Sequence, residues 1–241
     1  MSCASRALLD SPGLHFWQCN VGPSVCDGAT AMLPAEQAYI DDFETDARFA
    51  GWYAFADDGV AEPHSMTPEG PGAVSTQIAG HVSAIDILPP PVGYGAGFGF
   101  NMIDPAFISC VDVSSFDGVS FWAKGTSGDN EELIFQVVHP ATQPIGEGGD
   151  CLANCYDHPK TTIVLTPDWT QYTVTWGELT GVAVTGPILS NNWITAGETY
   201  DVWVDELTLY KGIPPQGPVG VGAGGAGGAD TAGPGGAGGS G

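Results

Sequence analysis

The chain has 241 residues, 36 of them glycine and 19 proline, and a formal net charge of −23. This is enough for one large β-domain with its own core plus tails, and the Gly and Pro content, with no long helical period, argues against a helical fold. With only Arg6, Arg48, Lys124, Lys160 and Lys211 as fixed cations, the chain disfavours nucleic acid and anionic membranes as partners and suits neutral ligands and divalent cations.

Residues 1–38 show no periodicity and read as an irregular leader containing Cys3, Cys19 and Cys26. Met1–Pro12 holds one Arg and a short apolar run, so no signal peptide is visible there. No apolar run in the chain is long enough to insert in a membrane. The domain begins at Tyr39, with Asp41-Asp42-Phe43-Glu44, followed by an aromatic strand, Gly51–Ala56, and an Asp-Gly turn. Ala73–Ile78 alternates weakly and is expected as a strand. Tyr94–Met102 alternates cleanly, with Phe98, Phe100 and Met102 on one face and glycines opposite, where a second layer or a ligand can approach. Val119, Phe121 and Ala123 share a face, with Ser120, Trp122 and Lys124 on the other. Leu133–His139 follows, with Leu133, Phe135 and Val137 inward. A long loop, Pro140–Pro159, precedes strands at Thr161–Leu165 and Gln171–Trp176, then a weaker one at Pro187–Thr195. Tyr200–Tyr210 is the last strand. These nine to ten strands predict an all-β, two-sheet antiparallel sandwich over residues 39–211. Residues 212–241 are Gly/Ala/Pro-rich and read as a linker or tail, a kind of segment that leads to further modules.

Six cysteines suit an oxidising compartment, hence an extracellular or cell-surface protein, for which either the exporting segment lies outside this chain or the start is misplaced. Spacing favours the local bridges Cys19–Cys26 and Cys151–Cys155; Cys3–Cys110 would complete the set, one of the fifteen pairings six cysteines permit. Cys151, Cys155, Asp157 and His158 also resemble a metal cluster, but a loop disulfide accounts for them better than zinc, which needs more matching ligands.

Asp42 and Glu44 lie two apart in an extended segment and point the same way. Two like charges side by side repel unless a cation or another partner offsets them or both stay solvated at the sheet edge; for a cation, Asp205 on the last strand is the natural third ligand. Such hard oxygen donors suit a structural Ca²⁺ that joins the first strand to the last. No nucleophile elbow and no His-Glu-x-x-His motif is present, so no catalytic residue is assigned.

Asp41-Asp42-Phe43-Glu44, Trp52-Tyr53, the run Phe116–Gly125, the run Leu165–Val174 and Val202-Trp203-Val204-Asp205-Glu206 together resemble the galactose-binding-like jelly rolls. Within that group they are similar to the family 11 carbohydrate-binding modules, and related modules, of secreted bacterial polysaccharide-degrading proteins. The resemblance implies a jelly roll, frequent structural Ca²⁺ and glycan binding on a sheet face. The expected function is non-catalytic binding of a neutral polysaccharide, of β-glucan or hemicellulose type, by a monomeric module of a larger protein. Two alternatives stand beside it: a β-sandwich hydrolase or lyase using acidic residues, and a structural domain without a glycan ligand. For the binding face, sugar stacking requires an aromatic ring and a rim of amides and hydroxyls. Trp122, Gln136 and Asn101 are expected on one face, with Tyr94, Asp104, His139 and Trp193 at the rim. Gly97 and Gly99 are expected to let a flat chain approach the backbone.

Overall fold

Tyr200–Tyr210 is the longest strand and the axis of one sheet. In the computed structural model, residues 3–7, 15–19, 25–26, 30–32, 39–44, 51–56, 66–74, 76–85, 87, 95–102, 110–195, 197 and 199–215 are described, with backbone alone at 3–7, 15–19 and 30–32. The described strands are β1 (Cys3–Ala7), β2 (His15–Cys19), β3 (Thr30–Met32), β4 (Tyr39–Asp41), β5 (Gly51–Ala56), β6 (Thr67–Glu69), β7 (Ala79–Ala84) and β8 (Ala96–Asn101). After them come β9 (Cys110–Asp112), β10 (Gly118–Ser127), β11 (Glu132–Val138), β12 (Lys160–Val164), β13 (Thr170–Thr175), β14 (Pro187–Ile188), β15 (Ser190–Thr195) and β16 (Tyr200–Tyr210). Among the described residues there is no α-helix, only short 3-10 turns such as Trp176–Glu178.

Two sheets form the sandwich. One runs β13-β10-β16-β7-β6, with β4 also on β16; the other runs β12-β11-β15-β8-β5. The alternation read from sequence decides which side faces in. Val119, Phe121, Val202, Val204, Leu207 and Leu209 from the first sheet meet Phe98, Phe100, Leu133, Phe135 and Val137 from the second, all buried. The first and last strands of the domain meet as expected, Asp41 opposite Leu207. A bulge on β16, with Glu206 at φ 51°, adds a residue at that point. Trp52 of β5 donates its indole N–H to Asp41 of β4 at 2.6 Å, tying one sheet to the other.

Several expectations are corrected. The described residues of Ala73–Ile78 form bends and a turn, not a strand, and the strand starts at Ala79. The leader is not irregular throughout: β1 pairs with β2, placing Cys3 opposite Cys19, and β3 runs parallel to β9. That parallel pairing brings Cys26 to Cys110, and these two form a disulfide, which excludes Cys19–Cys26 and Cys3–Cys110. Spacing along the chain favours near neighbours and carries no sign of a bridge 84 residues long. Cys151–Cys155 is bridged as expected. Cys26 and Cys110 pack with Val25, Val138 and Leu189 in a small apolar cluster of their own, and the Val25 N–H donates to Gly148 O at 2.9 Å.

Candidate functional site: an aromatic groove on the five-stranded sheet

A groove of about 820 Å³ crosses the outer face of the second sheet. Its floor follows from period-2 alternation. Strand β5 turns Trp52 inward and Tyr53 and Phe55 outward; β8 turns Phe98 and Phe100 inward and Gly97, Gly99 and Asn101 outward. Gln136 of β11 and Ser190 and Asn192 of β15 complete the polar floor. A Cβ at Gly97 would lie 2.7 Å from Phe55 Cζ, and one at Gly99 would lie 2.6 Å from Tyr53 Cζ and Oη. The glycines therefore admit two rings rather than a ligand, so the expectation of a sugar chain lying on bare backbone is corrected. The rings lie 6.1 Å apart at 35° and are only partly buried.

One wall is the loop carrying Cys151–Cys155. There Tyr156 donates its O–H to Glu147 at 2.6 Å, and Gln143 Nε2 donates to the other Glu147 oxygen at 2.6 Å. Among the described residues the lining contains Glu147 and no Lys or Arg. The side-chain amides of Asn101 and Gln136 make no hydrogen bond among the described residues, so their donors and acceptors are unspent.

The other expected binding residues separate. Trp122 does turn away from the core, but on the opposite sheet, between Gln171 and Asp205, so it shares no face with Gln136 and Asn101. Periodicity tells which residues share a side of one strand, not which sheet the strand joins. Trp193 is 1% exposed in the core and lines no rim: it follows outward Asn192 by one residue and so points in. His139 caps the turn Pro140–Thr142, its Nδ1 accepting from the Ala141 N–H at 3.1 Å, and does not line the groove. Tyr94 and Asp104 lie outside the described residues. Tyr53, Phe55 and Asn192 were missed; the signal for Tyr53 and Phe55 was their alternation with Trp52 and Ala54.

No family model matches this sequence, and no curated protein matches it either. Solved structures do. A family 11 carbohydrate-binding module of a cellulosomal cellulase of Clostridium thermocellum superposes with a TM-score of 0.54 at 18% identity, over 74% of this chain and 96% of that one. A family 11 module from Clostridium thermocellum in complex with a β-1,3-1,4-mixed-linked tetrasaccharide gives 0.52 at 17% identity, over 72% and 95%. The chain shares the fold of the family 11 carbohydrate-binding modules.

In this family-11-like fold the expected Ca²⁺ ligands lie near the β4–β16 junction. Asp205 is fully buried; its Oδ2 accepts from Ala73 N–H at 2.8 Å and Thr76 Oγ1–H at 2.6 Å, and its Oδ1 accepts from Glu206 N–H. Burial pushes its carboxyl up to about 6, against those hydrogen bonds and with the charge of Asp42 adding to the rise. Asp42 is also buried and accepts from Glu44 N–H. Glu44 is exposed and caps Gln77 and Ile78 through their N–H groups. Among the described residues no three His, Cys, Asp or Glu side chains converge as a metal site. Asp42 and Asp205 match a cation in burial and charge, while the oxygens of Asp205, like that of Glu44, already accept hydrogen bonds from the protein.

On the outer face of the first sheet, Trp203 stands outside the core. His81 stacks on it at 4.3 Å, and Lys124 Nζ sits 4.9 Å from its ring and 4.8 Å from that of Trp169.

His158 lines the groove and is held neutral. Burial, then the charge of Lys160, lowers it to about 4. Thr142 Oγ1 gives its proton to His139 O at 2.9 Å, so it accepts the Nδ1–H of His158 at 2.7 Å. A histidine depressed from 6.5 contributes stability that is complete above 6.5 and is lost as pH falls towards 4. The melting-temperature gap between wild type and His158→Gln should therefore be widest near neutral pH and narrow on acidification to 4. A gap independent of pH would show that the ring titrates alike folded and unfolded.

Proposed function

We propose that the groove on the five-stranded sheet binds a neutral polysaccharide, of β-glucan or hemicellulose type, without catalysis, in a secreted multi-module protein. One observation carries this reading: two partly exposed rings, Tyr53 and Phe55, lie over glycines beside unspent amides. An aromatic face takes the apolar C–H face of a pyranose, and amides take its hydroxyl rim. The groove crosses β5, β8, β15 and β11, so a chain laid along it would meet a new strand about every 4.8 Å. The absence of Lys and Arg from the described lining and the presence of Glu147 favour an uncharged ligand over a uronate or sulfate. The tetrasaccharide held by a module of the same fold supports the class of ligand, and two disulfides support an oxidising compartment.

Tyr53→Ala should lose at least tenfold in affinity for β-glucans in affinity electrophoresis, the equivalent of about 1.4 kcal/mol, while the melt shifts by only a few degrees. Retention equal to wild type would remove Tyr53 from the site. Failure of the wild type to be retained on any neutral polysaccharide would sink the reading.

A structural Ca²⁺ at the β4–β16 junction is proposed separately, held by Asp42 and Asp205 with Glu44 beside them. Its support is the burial of two like charges. A cation bound only by the folded chain raises stability by mass action. Chelation should thus lower the melting temperature of the wild type and leave Asp205→Ala almost unaffected. Indifference of the wild type to both chelator and added Ca²⁺ would dismiss the ion.

A further inference from the structure

The groove floor holds one side chain whose orientation is decided by others. Asn192 Oδ1 accepts from Tyr53 Oη–H at 2.5 Å and from Ser190 Oγ–H at 3.1 Å, and those two hydroxyl oxygens are 3.1 Å apart. Neither hydroxyl has an acceptor outside this triangle among the described residues. If the amide were turned over, its NH₂ would face both oxygens; Tyr53 O–H could still donate to Ser190 Oγ, but the Ser190 proton would be left without an acceptor among the described residues. With Oδ1 inward, both hydroxyl protons are accepted and the carbonyl's two lone pairs are filled. Nδ2, which has no partner among the described residues, is left towards the groove that Asn192 lines. The triangle closes because position 99 has no Cβ: one there would press on Asn192 Oδ1 and on Tyr53 Cζ and Oη. Gly99 has no left-handed backbone to explain its presence, so its lack of a side chain is what the floor uses. Burial raises the Tyr53 hydroxyl above its ordinary range, so it remains a donor throughout the neutral region.

We propose that Gly99, Tyr53 and Asn192 act as one positioning unit, in which Gly99 seats the Tyr53 ring and the Tyr53 hydroxyl turns Asn192 so that its NH₂ is a fixed donor to an oxygen of the bound sugar. This rests on the polysaccharide reading of the groove and adds to it a polarity: at Asn192 the site selects a ligand acceptor. Tyr53 is then both a stacking platform and a positioning residue, and Gly99 is a positioning residue that need not touch the ligand.

The test has two arms. In the ligand-free arm, the side-chain NH₂ resonances of Asn192 are followed by ¹⁵N NMR in wild type, Tyr53→Phe and Gly99→Ala. Both substitutions should move or broaden them while the rest of the spectrum stays folded; unchanged resonances in both overturn the unit, whatever the groove binds. In the ligand arm, binding of a soluble mixed-linkage β-glucan is measured for Tyr53→Phe, Asn192→Ala and the double variant. Tyr53→Phe keeps the ring and should still weaken binding about five- to tenfold. In the Asn192→Ala background the same change should cost less than twofold. Independent, multiplying effects overturn the coupling. Should the wild type bind no neutral glycan, the polysaccharide reading falls, while the NMR arm still decides whether Tyr53 and Gly99 orient Asn192.

Discussion

Replacing Cys26 and Cys110 together by serine is expected to lower the melting temperature by about 10–15 °C. The bridge closes a loop across a separation of 84 residues. In the chain-entropy account a loop of that size restricts the unfolded chain by about 4.5 kcal/mol. For a domain of this length each kcal/mol moves the midpoint by about 2–4 °C. The bridge also anchors the only described link between the leader and the core that is covalent, beside the short parallel pair β3–β9. Thermal melts of the double variant, with disulfide mapping of the wild type under non-reducing conditions, check this. The Cys151–Cys155 loop spans only four residues in separation, so its removal should cost far less by the same account. Equal losses from the two would contradict the loop-entropy explanation.

Trp193→Ala is expected to unfold the domain or lower its stability by about 3–5 kcal/mol, the range for an aromatic truncated in a core. The indole is stacked at 8° on Phe98, meets Phe121 edge-on at 5.2 Å and Phe135 at 5.4 Å, and lies 5.7 Å from Trp52. It thus links β5, β8 and β11 to β10 across the sandwich. Its Nε1 has no hydrogen-bond partner among the described residues, so Trp193→Phe, which keeps most of the ring area and removes that buried N–H, should be much milder. If Trp193→Ala melts like the wild type and loses only glycan binding, the core assignment is wrong and the indole belongs to the groove.

The strands and their faces were legible because period-2 alternation is strong where one side is fully buried. Phe98-Gly-Phe100-Asn-Met102 and Val119-Ser-Phe121-Trp-Ala123 read correctly from sequence alone. The site was less legible. Trp122 and Gln136 both point outward, but assigning their strands to sheets requires knowing that β10 pairs with β16 and β11 with β15, contacts between residues far apart in sequence. Trp193 sits in a run, Ser190–Thr195, whose polar residues occur on both faces, buried Asn191 included. Alternation there gives no direction. Gly97 and Gly99 announced a close approach, and the approaching groups, Phe55 and Tyr53, lay more than forty residues upstream on a strand whose partner only the fold reveals. Cys26–Cys110 was hidden for the same reason, since a parallel pair leaves no local mark.

Residues 25 and 26 lie outside the two sheets, yet they stand behind the groove. Val138 and Leu189, which line it, form the cluster around Cys26 and Cys110, and Val25 holds Gly148 next to Glu147. For anyone choosing where to cut this chain, the contacts of Val25 and Cys26 count as well as the strands from Tyr39 onward. A version beginning there would retain every strand of both sheets. It would also leave Cys110 with an unpaired thiol and strip the backing from two groove residues and from the loop that presents Tyr156. Instability of such a fragment would then reflect a missing buttress rather than a fault in either sheet.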